Sequence, residues 1–159
     1  MKQQQYDVMA DEFRHTNAGT EFPLADFSKT VYQMRLSDQA DIPQEEFLAE
    51  LQCMERYKMV VRRQAVDGAR NAATRWYFRH DKIMEFFIIQ TFLKHEERAL
   101  DHLDDPRFRG IYFLLAMLLP LQAAENLKEE LVQHTVKTND TTVMAPFVDL
   151  LNSRKRMAA

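Results

Sequence analysis

The segment Arg75–Phe87, RWYFRHDKIMEFF, joins an alternating aromatic and basic run to an apolar helical pattern. Trp76 and Phe78 alternate with Tyr77 and Arg79, so the apolar and basic side chains fall on opposite sides of an extended chain. This period of two predicts a β-strand with two unlike faces.

The residues after this strand predict the start of a helix. Asp81 is a good N-cap residue, because its carboxylate can accept hydrogen bonds from the first free backbone N–H groups. Ile83, Phe86 and Phe87 then begin an apolar stripe at helical spacing, which predicts an amphipathic helix. His80 is therefore expected at a strand-to-helix corner, where its side chain either projects toward a ligand or fills the corner.

The residues before this corner complete the pattern of a small module. Apolar periodicity predicts a short helix around Tyr6–Phe13 that ends near Asn17–Gly19, a helix from Pro23 to about Leu36, and a helix beginning near Pro43. MVVRRQAV (59–66) is then strand-like, and the turn-like segment 67–74 separates it from RWYFRH (75–80). Two helices, a hairpin and a helix follow the order of a winged-helix module.

Residues 95–159 have helical patterns throughout, with a polar, solvated tail expected at SRKRMAA (153–159). We therefore predict a mainly α fold with a small β-hairpin, in which a winged-helix module precedes an α-helical bundle or solenoid-like region. Three divisions are expected: a polar N-terminal segment (1–19), the winged-helix module (20–94) and the helical region (95–159). The N-terminal segment would contain at most a short helix.

Bulk properties limit the class of protein. The chain has 159 residues, 46% of them hydrophobic, which is enough for a real core. A single cysteine, Cys53, excludes an internal disulfide and is expected to be a buried thiol. Ile111–Leu119 is too short to span a membrane, and no apolar leader is visible, so we expect a cytoplasmic protein without a membrane partner.

The corner sequence resembles a known family. A strand, then Phe78-Arg79-His80-Asp81, then a helix beginning Lys82-Ile83-Met84, is similar to the end of the winged-helix domain of STAND-type NTPases, the NACHT and NB-ARC signalling ATPases. In the NB-ARC branch the motif is Met-His-Asp, and its histidine contacts the β-phosphate of ADP in the closed, inactive form. The resemblance covers roughly residues 22–94 in pattern, and its specific part is about ten residues.

The resemblance implies roles for individual residues. His80 matches the nucleotide-sensing histidine and Asp81 the motif aspartate, whereas Phe78 and Arg79 differ from Met-His-Asp. Many bacterial relatives have an F-x-H version here. The family's phosphate-binding loop, G-x-x-x-x-G-K-[ST], does not occur in this sequence, because none of its three glycines is followed by the Gly-Lys pair of the motif.

The expected function is therefore regulatory. The chain would be an interaction module in bacterial signalling or defence, with no cofactor of its own and no catalysis on this chain alone. ADP or ATP would be bound in a larger assembly, by an ATPase core in cis or in trans. A homo-oligomer is a further expected assembly.

Positive charge is concentrated around the hairpin, since residues 59–82 hold six Lys or Arg against two Asp or Glu in a chain of net charge −3. These side chains could contact DNA phosphates, a nucleotide phosphate or an acidic neighbour. The helix after Pro43 carries four glutamates and one arginine, which makes sequence-specific DNA binding the weaker alternative. The expected basic wing consists of Arg62, Arg63, Arg70, Arg75 and Arg79, with Lys82 beyond it.

The sequence contains no strong signal of a metal site or of a nucleophilic catalytic site. His95 and His102 lie among acidic residues at 96–105, but no metal-ligand spacing appears, and a solvated acidic face is the expected interpretation. No serine or cysteine lies in a motif of nucleophilic catalysis. A ligand-free structural adaptor, with His80 buried at the helix start, is the remaining alternative.

Overall fold

The computed structural model describes residues 3–66 and 72–158, and it confirms a mainly α fold with one two-stranded hairpin. The described chain divides into two compact units, up to Ile88 and from Ile89 onward. The elements are α1 (Gln3–Thr16), α2 (Leu24–Leu36), α3 (Gln44–Arg56), β1 (Val60–Val66), β2 (Ala72–Phe78), α4 (Asp81–Lys94), 3₁₀ turns at Glu96–Leu100 and Pro106–Phe108, α5 (Arg109–Leu118), α6 (Leu121–Thr138) and α7 (Met144–Ala158).

The first unit is built around aromatic side chains. Phe22, from the loop between α1 and α2, lies 5.5 Å from Phe13 and 5.6 Å from Phe27, and Phe27 lies 4.8 Å from Phe87 of α4 (ring centroids). Such edge-to-face pairs add to the free energy gained by burying the rings. Cys53 of α3 is fully buried, as predicted, and its Sγ donates to the Met9 carbonyl of α1.

The hairpin has the predicted alternation of faces. β1 and β2 are antiparallel, with Arg62 opposite Trp76 and Arg63 opposite Arg75. Trp76 is 1% exposed, and its carbonyl accepts from the backbone N–H of Ile42, the residue two before α3. The segment before α3 therefore joins the edge of the hairpin through a single bridge.

The helix α4 is buried around more of its circumference than the predicted single stripe. Besides Ile83, Phe86 and Phe87, the side chains of Ile88 and Ile89 are fully or almost fully buried. The expectation of an amphipathic helix is therefore wrong for the middle of α4, where few positions face water. Isoleucine and phenylalanine at consecutive positions are typical of a helix enclosed by its neighbours.

In the second unit, α5 packs on α7 and α6 packs on α7. Phe108, Tyr112, Leu115 and Phe147 are almost completely buried in it. The C-cap of α6 is Asn139, whose φ of 58° is left-handed and ends the helix. Among the described residues, no helix is both long and apolar enough to cross a membrane.

The C-terminal segment is helical and not an irregular tail, while Ser153, Arg156 and Met157 are exposed as its polar composition predicted. α7 continues through residues 153–158, and Arg154 Nη1 donates to the carbonyl oxygens of Ala116 (3.2 Å) and Leu119 (2.6 Å). Lys155 pairs with Glu125 of α6. The Arg154 guanidinium thus provides hydrogen-bond donors to carbonyl groups at the end of α5, and its positive charge complements the dipole of that helix.

Candidate functional site

The strand-to-helix corner forms where β2 ends and α4 begins. The Arg79 backbone N–H donates to the Met59 carbonyl (3.0 Å), which extends the hairpin pairing by one residue beyond β2. The Ile83 N–H donates to the His80 carbonyl (3.0 Å) and closes the first turn of the following helix. His80 is thereby held at the junction of two rigid elements, and its side chain is exposed.

Asp81 is the first residue of α4, where its negative charge complements the helix dipole. Its Oδ1 accepts from Nη2 of Arg35 of α2 at 2.7 Å. The Arg35 side chain is 16% exposed and that of Asp81 is 64% exposed, so the ion pair lies at the edge of the protein core. Asp81 thus links α2 to the start of α4 immediately after His80.

A cleft of about 720 Å³ lies on one side of His80. Its lining comes from three places: α1, the turn between α3 and β1, and the corner itself. The cationic lining residues are Lys58, Arg79 and Lys82, and Gln4 and Gln5 contribute amides. Among the lining residues that the structure describes, none is an aspartate or glutamate, and the Glu85 carboxylate pairs with Lys82 beside the cleft. The lining therefore favours an anion.

A second cavity, of about 400 Å³, meets the first at Arg79 and His80. Arg63 and Tyr77 also line it, and the Arg63 guanidinium carbon lies 5.7 Å from the centroid of the Tyr77 ring. Arg75 is exposed opposite Arg63 in the hairpin register. Like charges directly opposite each other are unfavourable in a sheet, and an anion bound nearby would relieve that repulsion.

The basic residues predicted for the wing differ in how far their charges are compensated by neighbouring carboxylates. Arg62 lies 5.7 Å over the Trp76 ring, and its Nε is 3.4 Å from Oε1 of Glu55, so its charge is partly compensated within the chain. Lys82 lies in the first turn of α4, and its Nζ pairs with Glu85 at 2.7 Å. Arg70 lies outside the described residues.

Sequence reasoning found His80, Arg79 and Lys82 but missed Lys58. Lys58 follows α3 with a left-handed φ of 57°, and this conformation turns the chain sharply into β1. Isolated lysines are common on helix ends, so the sequence contains no signal that this one lines a cleft. Gln4 and Gln5 were missed because the contribution of α1 depends on its packing against α3.

His95, His102 and their acidic neighbours give the acidic region of the second unit the residue types of a metal site. No group of three or more potential ligands has suitable geometry within the described part of the chain. Arg107 donates from Nε to Oδ1 of Asp105 and from Nη2 to Oδ2, and these hydrogen bonds lower the pKa of that carboxyl. Nε2 of His134 lies 2.8 Å from Oδ1 of Asp104. The His102 ring stacks on Phe108 with centroids 4.1 Å apart, and burial lowers the pKa of His102.

Comparison of this chain with protein-family models, with curated proteins and with solved structures finds no match.

Proposed function

We propose that this chain is a regulatory and interaction module of a STAND-type NTPase. His80 would contact a phosphate of the nucleotide bound to an ATPase core, which is supplied in cis or in trans. The observation that carries the proposal is the exposed His80 at the meeting point of two cation-lined cavities, whose described lining residues include no carboxylate.

The chemistry of the cleft agrees with this role. Imidazole and guanidinium groups form strong, charge-assisted hydrogen bonds to phosphate oxygens, and a lysine adds a point charge. Lys58 and Lys82 approach the cleft from separate segments, so a diphosphate could bridge them beside His80. The resemblance of the Phe78–Asp81 sequence to the family motif supports the same ligand class.

The proposed regulation is a two-state equilibrium. Phosphate contact through His80 stabilises the closed, inactive packing of the assembly, and loss of that contact releases the module. The nucleotide shifts the equilibrium only by its difference in affinity for the two states. This mechanism requires no catalytic group on this chain.

The test is the His80→Ala change in the complete assembly, with His95→Ala as a matched exposed-histidine control. We expect His80→Ala to weaken ADP retention and to raise basal activation, while His95→Ala leaves both unchanged. Unchanged nucleotide affinity and unchanged oligomerisation in His80→Ala would contradict the proposal.

A free-standing nucleic-acid-binding regulator is the second candidate, because Arg63, Arg75 and Arg79 are all exposed. Against it, Glu45 and Glu46 are exposed at the start of α3, the helix that would approach the groove. This candidate requires duplex binding at low salt that weakens when Arg63 and Arg75 are changed to Gln. The regulatory proposal expects no mobility shift under those conditions.

A further inference from the structure

An apolar groove in the second unit has an acidic rim. The groove has a volume of about 400 Å³ and is lined by Phe92, the 3₁₀ turn Glu96–Leu100, α5 and α6. Its buried floor includes Leu115, Leu119 and Leu127. The Leu100 side chain, 46% exposed, forms one apolar edge.

The N-terminal half of α6 lines one side of the groove. Ala123, Asn126, Leu127 and Glu130 recur at the spacing of neighbours on one helical face. This arrangement places an apolar stripe beside a charged edge. A partner helix could therefore lie against α6 and insert its own apolar side chains between Leu100 and Leu127.

The charge of the rim defines the partner. Glu97, Glu129 and Glu130 are exposed, and the described lining residues include no lysine or arginine. Glu97 has a weak ionic neighbour in His95, whose Nδ1 lies 3.6 Å from its Oε1. Elsewhere on α6, Glu125 is paired with Lys128 and Lys155, whereas the described residues show no lysine or arginine ion pair at the three rim glutamates.

We infer that this groove binds a cationic amphipathic helix of a partner protein. Leucine-type side chains of that helix enter the apolar floor, and its flanking lysines or arginines face the three rim glutamates. Complementary charge would set the orientation of the helix and exclude acidic helices. The inference is independent of the phosphate site proposed for the first unit.

The test uses a fluorescently labelled synthetic helix with leucines at i, i+3, i+4 and i+7 and lysines on both flanks. A second peptide has glutamate in place of every lysine. We expect anisotropy to detect the lysine peptide with an affinity that falls as salt is raised, and to detect no binding of the glutamate peptide. No binding of the lysine peptide at about 1 mM, or equal binding of the two peptides, would overturn the inference.

Matched variants test whether the peptide binds at this groove. Changing Glu97, Glu129 and Glu130 together to Gln should weaken binding of the lysine peptide about tenfold, which is the combined contribution expected of three exposed ion pairs. Asp149→Asn, an exposed acid on α7, is the control and should bind as the wild type does. Circular dichroism establishes that each variant is folded, and Leu100→Ser tests the apolar edge separately. Equal affinity of the triple variant and the control would show that the rim does not recognise the peptide.

Discussion

Nη2 of Arg35 lies 2.7 Å from Oδ1 of Asp81, and this ion pair ties the last turn of α2 to the first residue of α4. The two residues are 46 positions apart in sequence. The pair fixes the backbone immediately after His80, so it stabilises the corner without occupying the histidine side chain.

Arg35→Ala and Asp81→Ala should therefore show energetic coupling. In a double-mutant cycle measured by urea unfolding, the coupling free energy between the two side chains should be about 0.5–1 kcal/mol, because one partner is largely buried and the other is exposed. The exposed pair Arg14–Asp11 is the control and should give less than about 0.5 kcal/mol. Zero coupling between Arg35 and Asp81 would show that the pair does not hold the corner.

Trp76 should be the most sensitive position of the hairpin. Trp76→Ala is expected to cost about 3–5 kcal/mol of unfolding free energy, because it empties a fully buried site. It also removes the bond from Nε1 to Oε1 of Gln44 (3.2 Å). Tyr77→Ala, on the other face, should cost only about 1 kcal/mol. Equal losses in chemical denaturation would contradict the described burial of the two faces.

Arg154 should contribute to stability although it lies in a polar C-terminal sequence. Arg154→Ala removes the donor to the Ala116 and Leu119 carbonyls and should cost about 1–2 kcal/mol. The exposed Arg156 is the matched control, and Arg156→Ala should change stability by less than about 0.5 kcal/mol. Thermal or urea unfolding of the two variants checks the difference, and equal effects would be inconsistent with α7 as described.

His102 should make the protein less stable in mild acid. Burial lowers the pKa of folded His102, whereas the unfolded chain binds a proton near pH 6.5. The contribution of neutral His102 to the free energy of unfolding is therefore fully present above about pH 6.5. It decreases as the pH falls through the lowered pKa, because the unfolded chain binds the proton more readily. His102→Phe preserves a ring against Phe108 and should reduce the loss of stability between pH 7.5 and pH 5.5, as measured by urea unfolding relative to wild type. An unchanged pH dependence would contradict this assignment.

Local patterns predicted the order and approximate bounds of most elements. Proline and a period of three to four residues located α2 and α3. Alternation located the second half of β2, whereas residues 72–74, predicted to lie in the turn, belong to that strand. The full length of α7 could not be predicted, because SRKRM has no apolar period and its helix is stabilised by the distant contacts of Arg154. The burial of Ile88 and Ile89 likewise depends on packing.

The candidate site was only partly predictable. The corner position of His80 follows from local sequence, because a strand pattern directly precedes a helix start. Lys58 and the glutamines of α1 reach the same cleft only through tertiary structure. The pairing of Arg62 with Glu55 also required the fold, since seven residues and a change from helix to strand separate them.

The most direct test of the central claim is NMR detection of the His80 imidazole during titration with ADP and with pyrophosphate. We predict that both ligands shift the signals of His80, Lys58 and Lys82 with dissociation constants of about 1 mM, and that Lys58→Gln with Lys82→Gln weakens binding severalfold. His95 serves as an internal reference whose signals should not move. Unchanged His80 signals at saturating ligand, or equal shifts at His95, would contradict the assignment of this cleft to phosphate.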